Sequence, residues 1–443
     1  MVNQKTLIIG SGFNALATAY LLKKKNHDVK VFFERNIKGV LGSVQIEDEN
    51  FDLAYQFFDG LDSETEKFIR EMFSNEDLYN FKYGASTFSN NFFYSDHAIP
   101  YWPAYGKLFV AKAFISYLVK FLKNFFERKI NVSHNNLGDY YDELPSNIKK
   151  IITLGCIKNF QISPNLLSME AHNMSTITNF RQTLFGDKIS NFLKNNSNYF
   201  DKVLASRRKV NHNLENISLY PKGKNMEYVA DKLIERLTNN GVIFKKHSFD
   251  EINISHDENN ISVNGEAFNK VVMVTNLGNT KKILKIESQE DFEHFISKIF
   301  VYFTVKNLDY NFQYTQVNDI NLYCERISNC SLYSKLTKKN NRVLIAEIPL
   351  KTDNKLWEND EELKNIAWDE IKKCGIVKKN DSYEAAKVLK IPKTFAVPKV
   401  NFFNNLDDIN LVLKKKYKEK IDFVGQGVFT RHYFVKALLK KYE

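Results

Sequence analysis

Apolar and polar positions divide the start of the chain into three predicted elements. Residues 6–9 form a short apolar run that ends at a glycine, which is typical of a buried parallel strand. Residues 13–25 carry alanine and leucine at helical spacing. Residues 29–33 form a second apolar run, which ends at Glu34. The pattern therefore predicts a strand–helix–strand unit at the N-terminal end.

The same two periodicities predict elements along the rest of the chain. The predicted helices cover residues 62–74, 107–129, 226–239, 360–373 and 433–441. The predicted strands cover residues 242–246, 249–254, 260–264, 270–275, 298–306, 320–325, 342–348 and 421–424. A chain of 443 residues is longer than one hydrophobic core usually supports. We therefore expect two lobes, built from interleaved segments.

Segment 107–129 is the strongest amphipathic helix predicted in the chain. Most of its side chains are apolar, and its polar ones recur at steps of three and four as Lys112, Ser116, Lys120, Lys123 and Glu127. Two interpretations remain open. The helix packs into the core of the protein, or it lies on a membrane with its basic stripe outward and its aromatic side chains at the lipid boundary.

Composition narrows the function classes. The net charge is +11, but no run of five like charges and no zinc-finger, homeodomain or RNA-recognition signature is present, so no nucleic-acid partner is expected. Four cysteines without a C-x-x-C pair and nine scattered histidines predict neither a disulfide framework nor a metal site. We expect a cytoplasmic protein, with the inner membrane face as the alternative, because signal-peptide and spanning segments are both missing.

The candidate chemistry begins in the turn after the first predicted strand. Residues 10–15, Gly-Ser-Gly-Phe-Asn-Ala, have the form G-x-G-x-x-A. Gly10 permits the tight turn, Gly12 lets the backbone approach a pyrophosphate, and Ala15 lets the helix pack close to the sheet. The helix N-terminus then offers unpaired N–H groups to phosphates. The motif predicts a dinucleotide site.

An acidic residue at the end of the second strand strengthens this prediction. Glu34 follows Gly12 by 22 residues, where a carboxylate accepts hydrogen bonds from the adenosine ribose. A glutamate there disfavours a 2′-phosphate. The structural alternative is a buried strand–helix–strand unit that binds no ligand.

Several further blocks resemble those of the FAD-dependent amine oxidases and protoporphyrinogen-oxidase-like flavoproteins. Residues 51–58 (FDLAYQFF) resemble a block of the form F-D-x-G-x-(Q/H)-x-F, and residues 219–223 (LYPKG) resemble a Y-P-x-G-G block. Residues 423–427 (FVGQG) resemble the second FAD-binding block. The superfamily also includes relatives similar to phytoene desaturase and UDP-galactopyranose mutase.

The chain departs from the family pattern at four positions. Ala54 replaces a glycine, Ser43 stands in place of an arginine after the displaced Gly42, Lys224 replaces the second glycine of its block, and Gln426 replaces a charged residue. Each change weakens a specific contact, which raises the possibility of lower cofactor affinity or lost catalysis.

The resemblance implies an α/β fold with a Rossmann-type FAD-binding domain and an interleaved mixed α+β substrate domain. The FAD domain is expected from residues 1–85, 210–290 and 390–443, and the substrate domain from 86–209 and 291–389. The expected cofactor is FAD. Together with the motif, the resemblance predicts as cofactor-binding residues Gly10, Gly12, Phe13, Asn14, Ala15, Glu34, Arg35, Gly42, Ser43, Gln56, Phe249, Thr275, Gly425 and Gln426.

The substrate side is less informative, and no catalytic residue is predicted. An aromatic cluster at Tyr94, His97, Tyr101 and Trp102 resembles a pocket-lining stretch of sugar-processing relatives, with an ordinary aromatic loop as the alternative. Further weak candidates for the cofactor or an anion are Lys393, Arg207, Arg208, Arg431 and His432.

Three functions follow from this reading, all with a small-molecule substrate. The first is an FAD-dependent oxidoreductase that transfers a hydride from its substrate to flavin N5. The second is an enzyme similar to UDP-galactopyranose mutase, and the third is a degenerate flavin-binding protein without turnover. The sequence leaves the oligomeric state open.

Overall fold

The computed structural model describes residues 4–82, 84–94, 100–127, 134–178, 181–205, 217–257, 260–286, 292–306, 308–334, 341–425 and 430–442. The strands are β1 (Lys5–Ile9), β2 (Asp28–Phe33), β3 (Ser43–Ile46), β4 (Glu49–Asp52), β5 (Leu78–Lys82), β6 (Ala85–Ser89), β7 (Phe92–Tyr94), β8 (Ile217–Pro221), β9 (Ile243–Lys246), β10 (Ile254–His256), β11 (Ile261–Val263), β12 (Glu266–Phe268), β13 (Lys270–Met273), β14 (Glu293–Lys306), β15 (Tyr314–Val317), β16 (Arg326–Asn329), β17 (Asn341–Pro349), β18 (Ala385–Pro398) and β19 (Ile421–Phe423). The helices are α1 (Gly12–Lys24), α2 (Ser63–Phe73), α3 (Lys107–Glu127), α4 (Leu137–Asp142), α5 (Ser146–Phe160), α6 (Asp187–Asn196), α7 (Asn198–Val203), α8 (Met226–Asn239), α9 (Leu277–Leu284), α10 (Ser331–Ser334), α11 (Asp360–Lys373), α12 (Phe402–Tyr417) and α13 (Arg431–Tyr442).

A five-stranded parallel sheet forms the first half of the molecule. Its strand order is β19-β13-β1-β2-β9, so segments far apart in sequence lie side by side. Ile8 packs into the core that holds α1, α8 and α13, while Leu7 and Ile9 face the opposite core with α9 and α12. Because side chains alternate along a strand and both faces are covered, the strand reads as a continuous apolar run.

A seven-stranded sheet forms the second half. Its order is β18-β14-β17-β16-β15-β6-β7, and β14 pairs antiparallel with both β17 and β18. Ile299, Val301 and Phe303 of β14 face the core beneath α11. Phe300 and Tyr302 share a core with α1 and α8 instead. Alternate residues of β14 thus connect the two halves.

A helical layer, α3 to α7, has its own core around Trp102 and Tyr141. Helix α3 contributes the buried Ala113 and Tyr117 to this core, with Phe114 and Phe121 packed at its edge. None of the helices in the described ranges is both long enough and apolar enough to cross a membrane.

The structure confirms most predicted elements, including β1, α1, β2, α8 and α11. Two predicted strands are wrong. Residues 249–251 form a 3₁₀ turn, and β10 starts only at Ile254. Residues 320–325 form a turn because the backbone N–H groups of Tyr323 and Cys324 donate to the Glu370 carboxylate, at 2.7 Å each. The Glu370 carboxylate thus accepts the hydrogen bonds that a neighbouring strand would otherwise accept.

Candidate dinucleotide site and adjoining cavity

Gly10 ends β1 and turns the chain into α1. Its backbone N–H donates to the carbonyl of Phe32 at 2.9 Å, and its φ is +149°. A Cβ atom at this position would lie 2.6 Å from Cγ2 of Val274. The turn therefore requires glycine, as the motif predicted.

The segment after Glu34 crosses directly over the glycine turn. Gly12 donates its backbone N–H to the carbonyl of Ile37 at 2.7 Å. Gly39 has a φ of +55°, and a Cβ atom on it would lie 2.9 Å from the Cα atom of Gly12. The predicted Gly42 has no such restriction, since the nearest atom to an added Cβ would be 3.5 Å away. Gly39 is therefore the glycine that this crossing needs, whereas cofactor binding by Gly42 stays a prediction.

The start of α1 presents an open positive end. Its N-cap residue Ser11 makes no side-chain capping bond, and its first turn holds no acidic residue among the described side chains. Lys23 and Lys24 lie in the last turn, where cations complement the helix dipole. Phe13 and Ala15 are buried in the core that also contains Ile8, while Asn14 lines the cavity described below. This arrangement suits an anion at the N-terminus of α1.

Glu34 lies at the carboxyl end of β2, beside a shallow cleft of about 330 Å³. The cleft is also lined by Lys245, Lys246 and His247. Phe249 donates its backbone N–H to Oε1 of Glu34 at 3.4 Å, while its side chain is buried. Phe249 thus lies in a 3₁₀ turn rather than in the predicted strand, and its backbone still adjoins the acidic residue. Arg35 is exposed next to them.

A cavity of about 610 Å³ opens between the two sheets. It brings together four of the predicted cofactor residues, Asn14, Gln56, Thr275 and Gly425. Thr275 shares a hydrogen bond with Thr280 at 2.7 Å. Ser43 lies elsewhere and donates a hydrogen bond to Glu227, and Gln426 lies outside the described residues.

The lining of the cavity is mainly apolar. The residues that form the apolar part of the lining are Val40, Leu53, Ala54, Met174, Val274, Phe300, Ile391, Phe395, Ala396 and Phe402. Four of the lining residues lie on β18, which the sequence analysis did not predict as a strand. Pro392 interrupts its pattern, and proline is tolerated there because β18 is the edge strand of its sheet.

Arg431, the first residue of α13, is the main cationic side chain at the cavity. Its Nη2 donates to Oε1 of Gln56, and its guanidinium lies 5.8 Å and 5.4 Å from the ring centroids of Phe13 and Phe58. Burial lowers the pKa of Arg431 to about 10, although Asp52 and Asp59 oppose this shift. Arg431 is therefore still cationic at neutral pH. Arg431 was among the residues predicted from the sequence to contact the cofactor or an anion.

Behind the cavity wall, Asp52 holds three segments together. Its carboxylate accepts hydrogen bonds from the Tyr220 hydroxyl and from the Met226 backbone N–H, the latter at 2.8 Å. Tyr302 donates to the Asp52 carbonyl at 3.1 Å and accepts from the Ala54 N–H at 3.0 Å. Burial raises the pKa of Asp52 to about 6, although its hydrogen bonds lower it.

The aromatic cluster predicted for the substrate is split in the structure. Tyr94 and Tyr101 stack with ring centroids 4.0 Å apart, while Trp102 is buried and donates to Oε1 of Gln182 at 2.6 Å. None of these three lines the 610 Å³ cavity as described. His97, Arg207 and Arg208 lie outside the described residues. Lys393 is exposed, and its Nζ lies 5.2 Å from the centroid of the Phe295 ring.

Comparison with known proteins supports the geometry of the N-terminal unit. A family model described as an NAD(P)-binding Rossmann-like domain matches residues 8–75. This range contains the glycine turn and Glu34. No curated protein matches the chain in sequence.

Solved structures match the chain over nearly its full length. A structure of reduced UDP-galactopyranose mutase matches with a TM-score of 0.68 at 15% identity, over 96% of this chain and 90% of that chain. A protein from Exiguobacterium sp. 255-15, assigned as a protoporphyrinogen oxidase, matches with a TM-score of 0.67 at 13% identity, over 100% and 98%. Putrescine oxidase bound to putrescine matches with a TM-score of 0.57 at 10% identity, over 100% and 98%.

At these identities the similarity shows the fold. The chain has the fold shared by the mutase and the two oxidases, with a Rossmann-type domain interleaved with a domain built on a large mixed sheet. The predicted fold class and the resemblance on which it was based are confirmed at this level.

Proposed function

We propose that the chain binds FAD and is a flavin-dependent oxidoreductase that acts on a small-molecule substrate. The observation that carries the proposal is the continuous unit formed by the Gly10 turn, the open end of α1 and Glu34, with the cavity next to it. Glu34 would bind the ribose, the N-terminus of α1 the pyrophosphate, and the cavity the flavin ring. The predicted domain boundaries remain part of this proposal.

FAD, when bound, supplies a ring that accepts a hydride at N5. The described residues of the chain have the other tasks. Phe300, Ile391 and Phe395 exclude water from the cavity, and Thr394 offers a hydroxyl group that orients a substrate. A site of this kind needs no acid–base pair, which agrees with the apolar lining.

The charge of the cavity favours oxidation over the mutase reaction. A sugar nucleotide brings a diphosphate, whose charge requires several cations. Among the described lining residues the cavity offers Arg431 as its cation and Glu293 as an opposing carboxylate. Arg326, on β16 of the seven-stranded sheet, already pairs with Glu347 through two hydrogen bonds of 2.8 Å and 2.7 Å. We therefore place first an apolar substrate that carries no more than one charged group.

The mutase-like function stays as the second candidate because of the fold. UDP-galactopyranose mutase matches with a TM-score of 0.68, above the 0.57 of putrescine oxidase. Anaerobic mixing of the FAD-loaded protein with amines, and separately with UDP-galactopyranose, separates the two. Bleaching of the flavin by an apolar amine supports oxidation. Interconversion of the sugar ring by the pre-reduced protein, with no net oxidation of the flavin, would replace our first candidate.

A flavin-binding protein without turnover is the third candidate, and the sequence departures are its support. The structure weakens that support at Ala54, which has a φ of +63° and so keeps the left-handed conformation that a glycine would adopt. The main-chain path of the family block is therefore compatible with alanine here.

We also propose that α3 contacts a membrane surface. The aromatic side chains Phe109, Phe114, Tyr117 and Phe121 pack inward, contrary to the membrane interpretation of the sequence. Three aliphatic side chains point outward: Leu108, Ile115 and Val119 are 70%, 59% and 58% exposed. Of the predicted polar stripe, Lys112 and Lys123 are exposed, whereas Lys120 donates to the carbonyl of Glu143. Exposed aliphatic side chains beside lysines suit an anionic lipid surface.

A further inference from the structure

Two cavities meet at Arg431. The 610 Å³ cavity lies on one side, and a smaller cleft of about 260 Å³ lies on the other. Tyr55, Gln56, Thr430 and Arg431 line both. The guanidinium therefore lies in the shared wall, within reach of any group that enters the larger cavity.

The orientation of Arg431 is fixed by Gln56. The Gln56 amide nitrogen donates to the carbonyls of Val40 and Leu53, so the amide oxygen must point the other way, toward Arg431. The rings of Phe13 and Phe58 support the guanidinium through cation–π contacts. One acceptor thus engages one of the five N–H groups that an arginine offers.

The positive charge of Arg431 is not neutralised by a carboxylate at contact distance. No ion pair within 4.0 Å joins Arg431 to a carboxylate in the described part of the chain, whereas Arg326 and Lys436 each have one. Asp52 and Asp59 act on Arg431 through longer-range charge interactions. The Asp52 carboxylate is bound by Tyr220 and Met226, and Asp59 lines the smaller cleft. The N-terminus of α13, which begins at Arg431, adds positive potential at the same place.

We propose that Arg431 is the anion-binding residue of the cavity, and that its guanidinium binds a planar, delocalised negative charge. Two sources have that chemistry: the flavin ring in its reduced, anionic form and a carboxylate of the substrate. The first source rests on the proposed function, and the second does not. A buried cation held ready for an anion costs no reorganisation when the charge arrives.

The experiment compares three variants with the wild-type protein. Arg431→Gln removes the charge, Arg431→Lys keeps it, and Lys440→Met removes an exposed cation from the far end of the same helix as a control. The first measurement is the midpoint potential of the FAD-loaded proteins. The second is the affinity for benzoate by calorimetry, with and without FAD. Far-UV circular dichroism and urea unfolding check that each variant folds.

If the reduced cofactor is the anion, Arg431→Gln weakens the binding of reduced FAD relative to oxidised FAD at least tenfold. That change lowers the midpoint potential by about 30 mV for a two-electron couple. If the carboxylate is the anion, Arg431→Gln weakens benzoate binding by about the same factor and leaves the potential unchanged. In both cases the Arg431→Lys protein keeps most of the wild-type affinity for the anion, and the Lys440→Met protein keeps all of it.

The inference is overturned if folded Arg431→Gln protein keeps both the wild-type potential and the wild-type benzoate affinity. It is also overturned if Arg431→Lys loses as much as Arg431→Gln, because the charge would then not be the cause. A wild-type protein that takes up no FAD would reject the proposed function. The benzoate measurement on the cofactor-free protein would still decide the role of Arg431.

Discussion

At Ala54 a methyl group occupies a left-handed backbone position beside the cavity. A non-glycine residue there costs about 1–2 kcal/mol, and the greater freedom of unfolded glycine offsets about 0.5–1 kcal/mol of it. The site tolerates this cost because Tyr302 fixes the Ala54 N–H and the neighbouring Asp52 carbonyl at once. At Ala54 the cavity wall is therefore held by buried hydrogen bonds to an uncharged side chain.

We expect Ala54→Gly to raise the free energy of unfolding by about 0.5–1 kcal/mol, because it removes the left-handed strain. Urea unfolding measures this change. Asn26 has the same φ of +63°, and asparagine tolerates that conformation, so Asn26→Gly is the matched control and should change little. A loss of stability in Ala54→Gly that exceeds the control would show that the methyl group contributes more through packing than it costs in strain.

We expect Asp52→Asn to change how stability depends on pH. The folded pKa of Asp52, about 6, lies above its unfolded value of 3.8, so the folded state keeps a proton that the unfolded chain loses in this window. The wild-type protein therefore loses stability as pH rises from about 4 to 6, and asparagine does not. The variant should gain up to about 3 kcal/mol relative to wild type across the window. Asparagine can keep both hydrogen bonds, to Tyr220 and to Met226.

Urea unfolding at pH 4, 5, 6 and 7 tests the Asp52 prediction, with the exposed Asp48→Asn as control. A difference between the Asp52→Asn and wild-type stabilities that stays flat with pH would show that folding does not raise the pKa of this carboxyl.

Helix and strand ends, more than their interiors, build the site. The open end of α1 and the segment after β2 meet at the crossing of Gly39 over Gly12, and Arg431 at the start of α13 lies over the ring of Phe13 in the first turn of α1. Sequence pattern found α1 and β2 because covered parallel strands and packed helices have strong periodicity. It did not reveal the crossing of Gly39 over Gly12, since a spacing rule does not show which backbone atoms meet.

We expect Gly39→Ala to weaken FAD binding at least tenfold, because its Cβ atom would push the 36–42 segment away from Gly12. Gly42→Ala is the matched control and should bind FAD as the wild-type protein does, since its φ is −66° and its Cβ atom has room. Fluorescence titration of the cofactor-free proteins with FAD measures both affinities. Equal losses in the two variants would contradict the assignment of the crossing to Gly39.

The exposed face of α3 gives a second prediction at the level of elements. Ile115→Asn with Val119→Asn should reduce binding to vesicles of phosphatidylcholine and phosphatidylserine at least tenfold, because two aliphatic side chains no longer enter the lipid. Leu411→Asn with Val412→Asn, on the exposed face of α12, is the matched control. Co-sedimentation that is the same for both pairs, or that persists on pure phosphatidylcholine for wild type, would reject an anionic lipid surface as the partner of α3.

At the scale of the whole molecule, two sheets built from interleaved segments enclose one cavity. The sequence predicted the α/β class and the N-terminal unit, because these depend on local pattern. It missed β18, where Pro392 masks an edge strand, and it misread residues 320–325, whose backbone bonds to Glu370. Asn14, Gln56, Thr275 and Gly425 were predicted from separate blocks, and only the fold places them on one cavity. Apolar lining from β14 and β18 depends on long-range pairing that no local pattern contains.

The most direct test of the account is the visible absorption spectrum of the purified protein, followed by chromatography of the cofactor that heat releases. We predict a yellow protein with flavin bands that releases FAD, in an amount close to one per chain after incubation with excess FAD. A colourless protein that takes up no added FAD, while its circular dichroism shows it to be folded, would contradict the proposal that the Gly10–Glu34 unit and its cavity form a flavin site.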